Sequence, residues 1–439
     1  MKNYKYHRVL LVLAVLLGAA FSQIASALPV FSRQTGYSCN QCHFQQFPML
    51  NAFGRSFKNS GFTMIGTEKK VESAGGLSIP ESLNLGVLTT AGVEHVSGAD
   101  TTDVHDSVNT PAGGGELSIF YGGRVNANMG FLAELGTGGS STATSSAKLP
   151  IFYEVVEGTR VGVVILTTGD QGAAHSFETL NTGAVGVQRM VPMPGVNAND
   201  AHIKANSAAQ YLGTATGAQG ASFVVNNDHY FVNVGKYAVI DAIDKGSRAS
   251  SMGMTYARAA GMFDLAGFDS AIGVQIFSGD DVGKPNAATG IPSATKIATE
   301  ASIIDAQMMG SVGNMPLGVY VSVGMAPAVS DANFNGNHFN SGGSVTARST
   351  NFAVQLGVIP NVATVMAAIR QAHNGGLDAN NEAKTDNAIM LGVTYNLSVN
   401  VETSLSYTAQ SGTAWDKDAV TGVEPAGKTV TTAMLQAMF

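Results

Sequence analysis

Hydrophobic and polar residues alternate along most of the chain after Leu83, in short runs separated by turn-forming residues. In the clearest run, from Leu117 to Leu135, hydrophobic residues occupy alternate positions, and most of the residues between them are polar or glycine. Successive side chains of a β-strand point to opposite faces, so a period of two predicts strands with one apolar and one polar face. Asn126-Ala127-Asn128 interrupts the run and predicts a tight turn between two strands.

The same pattern recurs as pairs of strands that short turns connect. The connections between successive pairs are long and polar, for example Gly169–Gly217 and Ser278–Thr299. A first strand at Leu83–Val93 and a last one at Thr429–Phe439 bring the total to about 16, and an even number with short turns at one end is typical of outer-membrane barrels. The six further pairs are Ile151–Glu157 with Val161–Thr168, Phe223–Val225 with Tyr230–Val239, Thr255–Met262 with Phe268–Phe277, Ile303–Val312 with Leu317–Met325, Asn351–Val358 with Val362–Gln371, and Ala388–Tyr395 with Val399–Thr408.

The predicted fold is therefore all-β, a roughly 16-stranded antiparallel outer-membrane β-barrel of porin type over residues 79–439. The last strand alternates up to Phe439, and a terminal aromatic residue resembles the signal by which bacterial barrels are recognised for assembly. A soluble β-sandwich array or solenoid is the alternative, and it predicts no asymmetry between long and short connections. A barrel of this size encloses a lumen wide enough for water unless another segment fills it.

The composition agrees with a membrane barrel better than with helical membrane spans. Hydrophobic residues make up 45% of the chain, charged residues only 13%, and there are 52 glycines. After Phe21 no apolar run approaches the roughly 20 residues that a transmembrane helix needs. The net charge of −7 gives no reason to expect a nucleic-acid partner.

The first 27 residues are typical of a secretory signal peptide. Lys2, Lys5 and Arg8 form a positive region, Val9–Phe21 is apolar, and Ala25-Ser26-Ala27 supplies a small-residue cleavage pattern. A membrane anchor is the alternative, but the apolar run is short for a span of about 20 residues. We therefore expect export from the cytoplasm.

The only two cysteines of the chain are Cys39 and Cys42, and His43 follows directly. Cys-x-x-Cys-His is the attachment site of a c-type haem, whose vinyl groups bind the thiols and whose iron binds the histidine. A thioredoxin-like redox pair would need a βαβ context, and a structural zinc site would need four Cys or His ligands. A simple disulfide remains the alternative to one covalently bound haem c.

A short aromatic helix is predicted directly after the motif. Pro48 is suited to the first position of a helix, and Leu50, Phe53 and Phe57 follow at spacings of three and four residues, which makes one apolar stripe. Asn59-Ser60-Gly61 predicts its end. We expect this helix to lie against the porphyrin and to exclude water from it, which raises the potential of the iron.

Residues 28–78 are therefore expected to form a small monohaem cytochrome c plug. A core of this size is too small to fold unaided, so the haem and the barrel wall would have to support it. Arg55 lies off the apolar stripe and is either a partner for a haem propionate or a solvated side chain.

The sequence does not fix the second axial ligand of the iron as clearly as it fixes His43, the first. Between the predicted signal peptide and His95 the chain contains no other histidine than His43. Met64 follows the Gly61 turn with enough chain to cross the ring, whereas Met49 is close to His43 in sequence. We predict Met64, with Met49, a ligand from the barrel, or a five-coordinate iron as alternatives; a thioether ligand would raise the potential.

The N-terminal segment resembles the fused outer-membrane cytochrome–porins, a family associated with iron(II) oxidation. The resemblance includes the residues on both sides of the Cys-x-x-Cys-His motif as well as the motif itself. Ser32 departs from the small Ala that the family is expected to have at this position. The matching residues are Ala27-Leu28-Pro29-Val30-Phe31-Ser32-Arg33-Gln34-Thr35-Gly36, Cys39, Cys42, His43, Phe47-Pro48-Met49-Leu50, Phe53-Gly54-Arg55 and Phe57-Lys58.

The resemblance implies an iron(II)-oxidising oxidoreductase of the bacterial outer membrane. Extracellular Fe(II) would give its electron to the haem, which lies in the lumen or on the periplasmic side, and a periplasmic c-type cytochrome or similar carrier would receive it. The alternatives are a diffusion porin whose haem plug is a gate or a structural element, and an electron conduit with another donor or the opposite direction.

Overall fold

The computed structural model describes most of the chain from Pro29 onward. The described residues are 29–76, 78–81, 83–97, 106–137, 143–169, 171–183, 207–214, 216–239, 252–282, 296–417, 422, 425 and 427–439. The predicted signal peptide, residues 1–27, lies outside them. Among the described residues, no helix is both long and apolar enough to cross a membrane.

Sixteen long antiparallel strands close into a barrel, as the alternation predicts. Each strand pairs with the next along the chain, and the last pairs with the first. Phe439 takes part in this closure, because it exchanges backbone hydrogen bonds of 2.7 and 3.0 Å with Val87. The strands are β1 Leu85–Val96, β2 Leu117–Asn126, β3 Met129–Thr137, β4 Ala143–Val156, β5 Thr159–Thr168, β6 Ala218–Asn226, β7 Tyr230–Val239, β8 Met254–Leu265, β9 Phe268–Ser278, β10 Ala301–Val312, β11 Met315–Ala326, β12 Ala347–Ile359, β13 Ala363–Leu377, β14 Asn387–Ser398, β15 Val401–Ser411 and β16 Thr429–Met438.

The strand connections are short at one end of the barrel and longer at the other. The seven predicted short turns are all present between these strands, and each has two or three residues, such as Gly313-Asn314 between β10 and β11. The connections at the opposite end range from residues 138–142 to residues 169–217. The asymmetry excludes the soluble sandwich or solenoid that was the alternative.

Side chains on the strands point alternately to the outside and into the lumen, with apolar groups outside. On β9, Ile272, Val274 and Ile276 are 54%, 39% and 49% exposed, whereas the intervening Gln275 is fully buried. Arg258 on β8 is likewise buried in the lumen. An apolar exterior around a polar interior is the arrangement that lets a barrel span a bilayer.

Between Pro29 and β1, the described residues form a small plug that contains three short helices. These are α1 Pro29–Thr35, α2 Cys39–Cys42 and α3 Ala52–Asn59. A two-stranded hairpin of Lys70–Glu72 and Ser78–Pro80 follows and contains the predicted boundary between plug and barrel.

Helix α3 begins at Ala52 and not at Pro48, so the predicted start of this helix is wrong. The Asn51 side chain accepts a hydrogen bond of 2.9 Å from the Gly54 amide. Asn is among the best N-cap residues because its side chain satisfies an amide that has no partner within the helix. Pro48 instead lies in the turn that precedes this cap.

The plug lies at the end of the lumen where the turns are short. Asn59 on α3 donates to the Asn227 carbonyl at 3.2 Å, and Ser56 donates to the Asp228 carboxylate at 3.3 Å. Gln45 accepts from the Asn361 amide at 3.3 Å. These wall residues belong to the turns after β6 and β12, so the plug closes the lumen from this end.

The connection between β5 and β6 folds into the lumen from the opposite end. We call residues 171–183 of this connection the inward segment; they are all buried. The Asn181 amide donates to the Gln307 side chain at 2.7 Å, and Thr182 donates to the Asp305 carboxylate. Polar strand residues that line the lumen thus bind both the backbone and the side chains of a segment that no sheet pairing stabilises.

Candidate functional site

The Cys-x-x-Cys-His motif forms one helical turn that a short loop fixes in place. The His43 amide donates to the Cys39 carbonyl at 2.8 Å, which closes α2. The Asn51 amide then donates to the Cys42 carbonyl at 3.0 Å, and the Phe44 amide donates to the Met49 carbonyl at 2.7 Å. The chain therefore returns to the motif directly after leaving it.

His43 is oriented by a hydrogen bond to the backbone of this loop. Its Nδ1 lies 3.2 Å from the Met49 carbonyl oxygen, so Nδ1 carries the proton and Nε2 is the nitrogen with a lone pair. Desolvation lowers the pKa of His43 to about 4. The imidazole is therefore neutral, and a backbone partner on Nδ1 is the usual outer support of a metal-binding histidine.

Helices α2 and α3 contact each other at a glycine. A Cβ at Gly54 would lie 2.1 Å from the Cys42 carbonyl oxygen, which is closer than any side chain allows. The Asn51 side chain joins the same two helices, since it donates to the Gln41 carbonyl at 3.0 Å. The motif and the aromatic helix are thus a single packed unit.

A cavity opens beside Cys42 and His43, with roughly 900 Å³ of space between its walls when its open mouth is included. The plug provides most of its wall, β2, β3 and β4 provide one residue each, and the inward segment provides His175. The lining residues are Val30, Phe31, Ser32, Thr35, Tyr37, Cys42, His43, Phe47, Pro48, Leu50, Gly54, Phe57, Lys58, Phe62, Phe120, Leu132, Lys148 and His175.

Most of this wall is apolar and aromatic. The Phe31 ring lies 5.0 Å from both the Phe57 and the Phe62 rings, measured between centroids. Phe47 lies edge-on to the imidazole of His43, with ring centroids 5.2 Å apart. Such a wall excludes water and favours a large flat apolar group.

Two amines and an imidazole meet on one part of the cavity wall. Lys148 on β4 donates to the His175 carbonyl at 3.1 Å, and its ammonium group lies 5.6 Å from the centre of the Phe62 ring. Lys58 on α3 lines the same cavity. Burial, together with these two cations, lowers the pKa of His175, which keeps its ring neutral.

The residues present fit a covalently bound haem. The apolar walls suit the porphyrin ring, and Lys58 and Lys148 offer N–H groups that can donate hydrogen bonds to its propionates. Burial raises the pKa of the Cys42 thiol to about 11, so it is protonated before a thioether bond forms. Cys39 faces an adjoining cavity of roughly 450 Å³, and the two cavities share His43 and Phe47.

Only part of the predicted apolar stripe of α3 faces this cavity. Leu50 and Phe57 line the cavity, as expected. Phe53 instead packs against the ring of Tyr37, with centroids 5.4 Å apart. Arg55 is buried and forms an ion pair of 2.5 Å with Asp269 on β9, so it holds α3 to the wall and the solvated side chain considered for it is wrong; its pairing with a propionate stays a prediction.

Neither predicted methionine ligand lines the cavity. Met49 is fully buried in a cluster with Met309, Tyr320 and other wall residues. Met64 is not among the described residues that line the cavity, and its carbonyl accepts a hydrogen bond of 2.5 Å from the Gln34 side chain. The assignment of Met64, with Met49 as alternative, therefore has no support in the geometry of this cavity.

Lys148 and His175 are the site residues that sequence reasoning missed. Lys148 shares the strand parity of Phe152, and this parity could have placed it on the lumen face of β4. His175 lies in a long connection without a hydrophobic period, so only the folded chain shows that it reaches the plug.

A buried ionic cluster holds the inward segment against the barrel wall. Glu178 of this segment pairs with Arg258 on β8 at 2.9 Å, and Arg258 also binds Asp305 on β10 at 2.8 Å. All three side chains are fully buried. Asn181 connects the same segment to the plug, because it accepts from the Leu50 amide at 2.7 Å.

Comparison with known proteins gives similarity in fold only. No protein-family model and no curated protein matches the sequence. The anion-selective porin from Comamonas acidovorans aligns over 82% of this chain and 99% of its own, with 14% sequence identity and a TM-score of 0.47. The outer-membrane-expressed OmpT of Vibrio cholerae aligns over 84% of this chain and 100% of its own, with 8% identity and a TM-score of 0.45.

Proposed function

We propose that the chain is an outer-membrane cytochrome–porin that accepts electrons from extracellular Fe(II) and passes them through one haem c to a periplasmic electron carrier. The apolar exterior of the barrel supports the membrane location. Short turns of such barrels face the periplasm, so the plug would lie near its periplasmic partner and the long loops would face the Fe(II).

The observation that carries the proposal is the position of the haem motif inside the barrel. Cys42 and His43 line an apolar cavity between the plug, the wall and the inward segment. The two lumen-filling segments contact each other through Leu50 and Asn181. A lumen filled in this way suits the passage of electrons better than the diffusion of solutes.

The residues of the chain have distinct roles in this function. Cys39 and Cys42 would hold the haem through thioether bonds, and His43 would bind its iron through Nε2. Each Fe(II) that becomes Fe(III) releases one electron, and the haem, when bound, supplies the one-electron couple that accepts it. Phe31 and Phe57 keep water from the ring, so that the surroundings of the iron stay constant between electron transfers.

Anaerobic mixing of the purified, oxidised protein with Fe(II) tests the proposal. We expect the haem absorption spectrum to change to the reduced form within seconds at acidic or neutral pH. Mg²⁺ at the same concentration is the control for charge alone and should leave the spectrum unchanged. A haem that dithionite reduces and Fe(II) does not would contradict the proposal and favour another donor or the opposite direction.

A further inference from the structure

His175 is a buried imidazole whose ring has no protein partner within the described part of the chain. It is 7% exposed and lies in a short 3-10 helix, Ala173–Ser176, of the inward segment. Its hydrogen bonds there are made by backbone atoms, since its amide donates to Gly172 and its carbonyl accepts from Lys148. A buried polar group without a hydrogen bond is costly, so this ring points to a ligand in the cavity that it lines.

The backbone around His175 is fixed on both sides. The Ser176 hydroxyl lies 3.0 Å from the Ser222 hydroxyl and accepts from the Asn233 side chain at 2.9 Å. Glu178, two residues further on, belongs to the buried ionic cluster with Arg258. The imidazole is therefore presented to the cavity by a rigid support, as a metal ligand requires.

His43 and His175 reach the cavity from different segments. His43 comes from the plug and His175 from the inward segment, so two imidazoles from separate parts of the chain border one apolar space. Among the described residues that line it, none is a methionine. If the iron of a planar ring attached beside His43 is six-coordinate, its second ligand must reach the opposite face of the ring from another part of this cavity.

We propose that His175 supplies the second axial ligand to the iron of the haem that His43 binds. The inference rests on the proposed attachment of haem c, but it is independent of Fe(II) as the donor. Two imidazole ligands give a lower reduction potential than one imidazole and one thioether. The haem would also connect the plug to the inward segment, and so hold together the two parts of the chain that fill the lumen.

Spectroscopy of the full-length protein with its haem tests this ligand. The oxidised protein should be six-coordinate and low-spin, with electron paramagnetic resonance typical of two imidazoles and without the near-infrared charge-transfer band of thioether ligation. The His175→Ala variant should become high-spin, and added imidazole should restore the low-spin state. The His175→Met variant should acquire the thioether band, with a higher reduction potential.

Met64→Leu is the matched control and should leave every signal unchanged. A low-spin spectrum that persists in His175→Ala, a thioether band in the unmodified protein, or a five-coordinate unmodified protein would each overturn the proposal. The unmodified protein and the Met64→Leu variant decide the question even if His175→Ala does not assemble. A protein with a two-imidazole spectrum that Fe(II) does not reduce would refute Fe(II) as the donor. It would leave the assignment of His175 as the second ligand intact.

Discussion

Gly54 lies at the closest approach between the Cys-x-x-Cys-His motif and helix α3. In an isolated helix, replacement of Gly by Ala stabilises by about 1 kcal/mol, because glycine has more conformational freedom to lose. Here the added Cβ would lie 2.1 Å from the Cys42 carbonyl oxygen, and a backbone atom cannot move aside cheaply. At this position, tertiary contact outweighs helix propensity.

We therefore expect Gly54→Ala to reduce the fraction of the protein that carries covalent haem, by several-fold. Haem staining after denaturing electrophoresis, normalised to total protein, measures this fraction. Gly261→Ala is the matched control, because a Cβ at that position on β8 meets no atom within 4 Å. Equal haem content in the two variants would show that the contact between α2 and α3 is not needed for attachment.

At the scale of elements, the inward segment depends on charges more than on sheet pairing. Arg258 faces both Glu178 and Asp305 in a fully buried cluster. Removal of one member of such a cluster leaves uncompensated charge and costs about 3–5 kcal/mol. Because the inward segment has no strand partner, the loss of this free energy weakens its attachment to the barrel wall.

We expect Arg258→Ala to release residues 171–183 while the barrel stays closed. Hydrogen exchange followed by mass spectrometry should show faster exchange in this segment and unchanged exchange in β12 and β13. Arg370→Ala is the control, since Arg370 pairs with Asp386 and not with the inward segment. Unchanged protection of residues 171–183 in Arg258→Ala would mean that hydrogen bonds such as that of Asn181 suffice to hold it.

The sequence could predict the elements that sheet pairing forms, but not those that contacts between distant segments hold in place. The strands follow from a two-residue period that the environment enforces on every strand, because one face meets the outside and the other meets the lumen. The start of α3 was misplaced since Pro48 and Asn51 are both good helix-start residues. His175 and Lys148 belong to the site only because the closed barrel brings β4 and a distant loop to the plug.

At the scale of the whole molecule, the barrel is filled from both ends. The plug enters from the end with short turns, where Asn59 and Gln45 bind turn residues. The inward segment enters from the other end and meets the plug at Leu50 and Asn181. A barrel of sixteen strands would otherwise enclose a lumen wide enough for water and small solutes.

Conductance in planar lipid bilayers separates an electron carrier from a diffusion porin. We expect the unmodified protein to conduct far less than an open barrel of the same strand number, because both lumen-filling segments obstruct the ion path. A variant that lacks residues 171–183 and also carries Arg55→Ala, which frees α3 from Asp269, should conduct several-fold more. Arg55→Ala alone is the control and should stay nearly closed, since the inward segment remains in place. Stable open-pore steps in the unmodified protein would instead support the diffusion porin, with the haem plug as a structural element.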